Sequence, residues 1–204
     1  MSDVESFVQF CESEFGSAVM DREAAYIKQH VAADDRILDV GCGIGSLEER
    51  FTDDDIVGID IAEAIVRTAR QRASAPFLVG DARTLPVRTD AVDAVVFVAT
   101  LEFISEVDAV LREATRVLRP GGRIVALLLN TRSKYVQSNL RRDESYFQRM
   151  VHRDSERLAD RVLDTIDGTQ EYILGIADDT VVESSDPTTA AVTAVVGTPI
   201  GDSQ

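Results

Sequence analysis

The stretch Arg36–Gly45, Arg-Ile-Leu-Asp-Val-Gly-Cys-Gly-Ile-Gly, constrains the fold more than any other part of the chain. An apolar run that ends in glycines at alternate positions reads as a buried strand closing into a tight turn. Such a turn lets backbone approach a ligand, and the helix start after it offers unpaired N–H groups. This arrangement belongs at the carboxyl end of a strand in an open α/β sheet. Taken alone it is also compatible with an ordinary strand–helix turn. The spacing is D-x-G-x-G-x-G from Asp39 to Gly45, and Ser46 stands where the G-x-G-x-x-G dinucleotide fingerprint has its third glycine.

Elements on either side follow the same logic. Residues 3–15 and 17–31 read as two helices broken at Gly16. Strands are expected at Arg36–Val40, Ile56–Asp60, Phe77–Val79, Ala94–Ala99 and Arg123–Leu129, with helical segments at Ser46–Phe51 and Ala62–Ala73. Ser105 with Asp108 resembles a capping box, opening a helix that Pro120-Gly121-Gly122 stops after Leu118. Residues 133–166 are polar and helical in pattern, with Phe147, Val151, Leu158, Val162 and Ile166 near one face. Gln170–Ile176 and Ala190–Val196 are two strands too close in sequence for a crossover helix, so they pair antiparallel. No linker divides the chain, and residues 1–204 are expected to form one domain.

The formal charge of -15 repels nucleic acid phosphates and anionic membranes. Lysine occurs only at positions 28 and 134, and an acidic, lysine-poor surface resembles proteins of salt-loving organisms. The N-terminus lacks the basic and apolar zones of a signal peptide, and no 18-residue apolar run is present, so a cytoplasmic location without membrane insertion is expected. Cys11, Cys42, His30 and His152 are too few for a structural metal site. Cys42 reads as a packing residue, and the two histidines as surface or helix-end residues.

Two further strand ends carry carboxylates. Asp60, in Gly58-Ile59-Asp60-Ile61, falls 19 residues after Gly41, where a carboxylate accepts both hydroxyls of a ribose. Asp81, in Val79-Gly80-Asp81-Ala82, is placed to accept from an adenine amino group, with the Ala82 backbone serving the ring edge. A solvated strand-end aspartate and a turn-forming aspartate are the plainer alternatives.

With Asp39–Gly45, Asp60, Asp81-Ala82, Val92–Val96 and Leu118–Gly122 in order, residues 17–130 resemble the class I S-adenosylmethionine-dependent methyltransferases. Among these the chain is most similar to the type 11 group, which includes the ubiquinone/menaquinone-biosynthesis enzymes. The resemblance implies a Rossmann-like, mainly parallel seven-stranded sheet with helices on both faces and an antiparallel C-terminal strand. It implies S-adenosylmethionine as cofactor, with Gly41 and Gly43 on its methionine part, Asp39 acting on the amino group, Asp60 and Ile61 at the ribose end, Asp81 and Ala82 at adenine, and Thr100 alongside.

Methyl transfer needs a general base only where the acceptor retains its proton. No base is assigned; Glu102, just past the fourth strand, is the one weak catalytic candidate, and a solvated loop carboxylate is the alternative. A small-molecule acceptor is expected between residues 1–31, acting as a helical lid, and residues 131–166. Phe7, Phe10, Phe15 and Tyr26 are candidates for an apolar lid or a helix-packing face, and Arg132, Arg141 and Arg142 for an anion site or surface salt bridges. Two other functions stay open, a nicotinamide-dependent oxidoreductase and a cofactor-binding module without turnover. A nucleic-acid methyltransferase is disfavoured, because Ala99–Phe103 lacks the Asn/Asp-Pro-Pro-aromatic string of base methylation.

Overall fold

The computed structural model describes residues 3–52, 55–143 and 145–201, and side chains from Val8 onward. Eight strands form one sheet in the order β3-β2-β1-β4-β5-β8-β6-β7. Strands β1 (Arg36–Val40), β2 (Asp55–Asp60), β3 (Phe77–Val79), β4 (Val92–Val98) and β5 (Leu118–Leu129) run parallel. β8 (Ala190–Pro199) is antiparallel to both β5 and β6 (Ile166–Ala177), as the hairpin reading expects. The sheet exceeds the expected seven strands by β7 (Thr180–Val182), a three-residue strand in the β6–β8 connection that is too short to leave a periodicity.

The central parallel strands are mainly apolar because helices cover both faces. On one face lies α4 (Val107–Val117), with Val107, Val110, Leu111, Ala114 and Val117 fully buried at helical spacing. Each of its larger side chains contributes about 2 kcal/mol by leaving water. On the other face, Val19, Ala24 and Ile27 of α2 (Glu14–Lys28) pack with Ile37, Phe51, Val96 and Val125. The remaining helices are α1 (Asp3–Glu12), α3 (Glu63–Arg72), α5 (Lys134–Arg141) and α6 (Ser155–Leu163). Among the described residues no helix is long and apolar enough to cross a membrane.

Three local expectations are corrected. The α1–α2 break falls at Ser13, whose hydroxyl accepts from Gly16 N–H; Gly16 lies inside α2, where a Cβ would sit 1.8 Å from the Phe10 carbonyl. Ser105 does not cap α4: Glu106 holds the cap position without a side-chain bond, and Ser105 donates to its carboxylate. Residues 133–166 are not one helical face but α5, a 3₁₀ turn at Tyr146–Arg149 and α6, with Val151 exposed and Ile166 already in β6.

Asn130 fastens the end of β5 to the entry of β8. Its fully buried amide donates to the carbonyls of Pro187 (2.8 Å) and Ala190 (2.7 Å) and accepts from Arg132 N–H (3.0 Å). At about 1 kcal/mol per bond, Asn130→Ala should lower unfolding free energy by about 3 kcal/mol in a denaturant titration. A loss below about 1 kcal/mol would show that the clamp contributes little.

Candidate active site

The site forms where β1, β2, β3 and β4 end. Gly41, Gly43 and Gly45 all have positive φ, a region that side chains with a Cβ enter at a cost. Gly41 is the most constrained: a Cβ there would meet the Thr100 side chain at 2.4 Å. Thr100 is aimed at the turn by Ala99, which carries a φ of +45° at the tip of β4, and by its own bond to the Val98 carbonyl. Sequence spacing could anticipate that Thr100 borders the turn, but not this closeness.

Asp60 lies at the tip of β2. One carboxylate oxygen accepts from Gly43 N–H at 3.2 Å and the other from Ala62 N–H at 2.9 Å, so the turn and the next helix are keyed to it. Ile61 beside it is 66% exposed, an apolar side chain left open at the sheet edge. Asp81 is more occupied than expected: Arg83 grips both its oxygens, with Nη2 at 2.7 Å, and pulls its pKa down. An adenine amino group would have to share Asp81 with Arg83. Ala82 is partly buried against the core.

Beneath the turn the chain buries acid. Asp39 is 2% exposed and its Oδ1 has no partner among the described residues. Glu48, in the 3₁₀ turn Glu48–Arg50, has neither oxygen partnered among the described residues and would lie 2.4 Å from a Cβ on Gly58, the residue opposite Asp39 in the sheet. Burial first, and then the neighbouring Glu48, Asp60 and Glu23, push the Asp39 carboxyl well above the usual range. Burial likewise raises Glu48 to about 7.

Glu102 is fully buried, which overturns its reading as a solvated loop carboxylate. Its Oε1 accepts the Leu129 N–H and its carbonyl accepts from Val151 and His152, while Oε2 has no partner among the described residues. Burial raises it to about 7. Glu23, on α2, is buried with it and raised to about 8, by burial first and by Glu102 as well, against a lowering pull from Arg50. Arg50 is itself bound to Asp21, Ser46 and Ser17.

Glu23 and Glu48 went unread in the sequence. A signal existed for Glu23: with Val19 and Ile27 it shares the i, i+4 stripe that faces the core. Cys42 packs with Val66, Ala69 and Phe77 as expected, and burial holds its thiol protonated. His30 stacks on Tyr26 at the end of α2, but His152 is half-buried and bonds the Ile104 carbonyl. Of the lid candidates, the Phe7 side chain lies outside the described residues. Phe10, Phe15, Tyr135 and Phe147 form an edge-to-face chain with centroids 5.8–6.3 Å apart. Tyr26 is elsewhere, its hydroxyl on Glu171 of β6. Arg132 is bound to Glu156, and Arg141 and Arg142 are exposed at the end of α5.

Residues 38–126 match the family described as "Methyltransferase domain". A demethylmenaquinone methyltransferase of Symbiobacterium thermophilum is 32% identical over 110 residues, 48% of this chain and 44% of that protein. The chain thus spans less than half the length of that relative. Among solved structures, a Thermotoga maritima S-adenosylmethionine-dependent methyltransferase, described as a possible histamine N-methyltransferase, has a TM-score of 0.78 at 18% identity, covering 97% of this chain and 96% of that one. One from Archaeoglobus fulgidus has a TM-score of 0.74 at 18% identity, covering 94% and 98%. Residues 38–126 are thus similar to the methyltransferase domain family, and the fold is that of solved S-adenosylmethionine-dependent methyltransferases; the nicotinamide alternative is not favoured.

The buried carboxyls have a consequence for stability. Glu23, Glu48 and Glu102 hold protons in the folded state well above their ordinary 4.5. Their contribution is complete below about pH 4.5 and is lost as pH rises to 7–8, where the folded groups ionise. The ligand-free protein should therefore lose about 1.4 kcal/mol per pH unit for each retained proton between pH 5 and 7. Denaturation at constant ionic strength, with Glu23→Gln flattening the slope, checks this; stability that climbs with pH would contradict it.

Proposed function

We propose that this chain binds S-adenosylmethionine over the glycine turn and transfers its methyl group to a small-molecule acceptor. The observation that carries this reading is Asp39: a buried carboxylate oxygen without a partner among the described residues, beside a turn of three positive-φ glycines whose backbone carries no side chain. An ammonium group at the methionine end of the cofactor fits that oxygen. Gly41 and Gly43 would line the methionine part, Asp60 the ribose hydroxyls, Ile61 one face of the adenine, Asp81 and Ala82 its edge, and Thr100 the side nearest the acceptor. The bound cofactor supplies a methyl group on a positively charged sulfur. The chain's part is to orient that group, exclude water and receive the acceptor.

Residues 1–31 and 131–166 would cover the acceptor, joined by the Phe15–Tyr135–Phe147 contacts. The relative's name points to a quinone-ring acceptor and the Thermotoga protein's to an amine, so kinship supports a small molecule without choosing between them. A charge of -15 with two lysines supports a protein suited to high salt, and assays belong there.

Calorimetric titration with S-adenosylhomocysteine tests the reading. Asp60→Ala should weaken binding by about 2 kcal/mol, roughly 30-fold, the scale of a charged hydrogen-bonded pair. Unchanged affinity would remove Asp60 from the site, and no binding by the folded wild type would end the proposal.

A further inference from the structure

The site buries more carboxyl groups than the cofactor can answer. Asp39 and Asp60 sit at the turn, and the cofactor's ammonium and sulfonium lie over them in the reading above. Glu102 follows Thr100 in the 3₁₀ turn Leu101–Phe103, fully buried and with Oε2 unpartnered among the described residues. Glu23, on α2, is buried close enough to feel the charge of Glu102, and its own charge bears on Tyr135. Among the described residues no lysine or arginine pairs with Glu102, and no group of side chains could hold a metal ion.

Aromatic rings border these two acids. Phe103 adjoins Glu102 and stacks with Tyr146 at 4.7 Å between centroids. Tyr135 and Phe147 pack in the same small cluster as Leu129, whose N–H holds Glu102. Ring faces carry negative potential and attract cations, adding to the field of the acids. An acceptor without a donor would leave Glu102 Oε2 buried without a partner, a cost of a few kcal/mol, and a neutral donor would answer its charge less fully than an ammonium.

We propose that the acceptor is a protonated amine carrying an apolar or aromatic body, held by Glu102 and Glu23 against the rings of Phe15, Phe103, Tyr135 and Phe147. This rests on the methyl-transfer reading and deepens it. An ammonium group has no electron pair to give until a proton leaves. Glu102 Oε2 takes that proton, and the electrons of the broken N–H bond stay on nitrogen as the pair that accepts the methyl group. The methylated nitrogen is cationic again and leaves as a secondary ammonium, and Glu102 passes the proton it took to water, which restores its carboxylate for the next turnover. Burial raises Glu102, and the Leu129 N–H from β5 and a backbone N–H of its own turn lower it, which leaves it a weak acid near neutrality, suited to this transfer; Glu23 from α2 lies within its field, and Val151 and His152 hold its carbonyl.

The test uses full-length protein saturated with S-adenosylhomocysteine in molar KCl. Phenethylamine, tryptamine and cyclohexylethylamine are titrated beside their alcohol isosteres by calorimetry. At least one amine should bind ten times more tightly than its alcohol, and that preference should vanish in Glu102→Gln and shrink in Glu23→Gln. The glutamine in Glu102→Gln retains an oxygen for the Leu129 N–H, and circular dichroism checks that both variants fold. Equal binding of amines and alcohols, no binding of either, or a preference indifferent to both substitutions would overturn the proposal. Failure of wild-type protein to take up S-adenosylhomocysteine would instead take down the methyl-transfer reading, and this inference with it.

Discussion

Uncompensated carboxylates buried at the ends of parallel strands are the constraint around which this structure is arranged. Glu23, Asp39, Glu48 and Glu102 are each less than a tenth exposed, and three of them have oxygens without partners among the described residues. Leaving such groups dry costs several kcal/mol unless they keep protons or meet a cation. A protein tolerates that cost where a ligand later relieves it. Asp39 and Glu48 face each other across Gly58, the two others approach from α2 and the end of β4, and the glycine turn lies over them.

The rest of the architecture serves to hold these groups against their own repulsion. The largely buried strands β1, β4 and β5 fix Asp39 and Thr100 in register, because a one-residue slip would expose the core. The α4 face and the α2 face seal the sheet on both sides, and α2 brings Glu23 with it. Asn130 ties the chain where β5 ends, beside the Leu129 N–H that holds Glu102. Fold stability and site geometry thus share the same elements.

Much of this was legible in the sequence for a definite reason. Strands buried on both faces must be continuously apolar, so β1, β4 and β5 announced themselves, and the glycines after β1 could only be a turn. Asp39, Asp60 and Thr100 were named because each stands at a strand tip. What stayed hidden depends on tertiary packing. From sequence alone Glu102 reads as a solvated carboxylate, since nothing in the composition shows that Val151 and His152 close over its turn. The grip of Arg83 on Asp81 is a two-residue contact that no periodicity encodes. β7 is too short to show a pattern, and the Ser105 motif failed because its hydroxyl found Glu106 rather than a helical N–H. Only Glu23 was missed despite a readable sign, its place on the buried stripe of α2.

The most direct measurement is the proton count of cofactor binding. Titrating S-adenosylmethionine into the protein at pH 7, in buffers of different ionisation enthalpy, separates proton exchange from intrinsic heat. If the cofactor's positive charge is what the buried carboxylates lack, binding should release a substantial fraction of a proton, and less with S-adenosylhomocysteine, which has lost the sulfonium. Tight binding with no net proton release, identical for the two molecules, would contradict it.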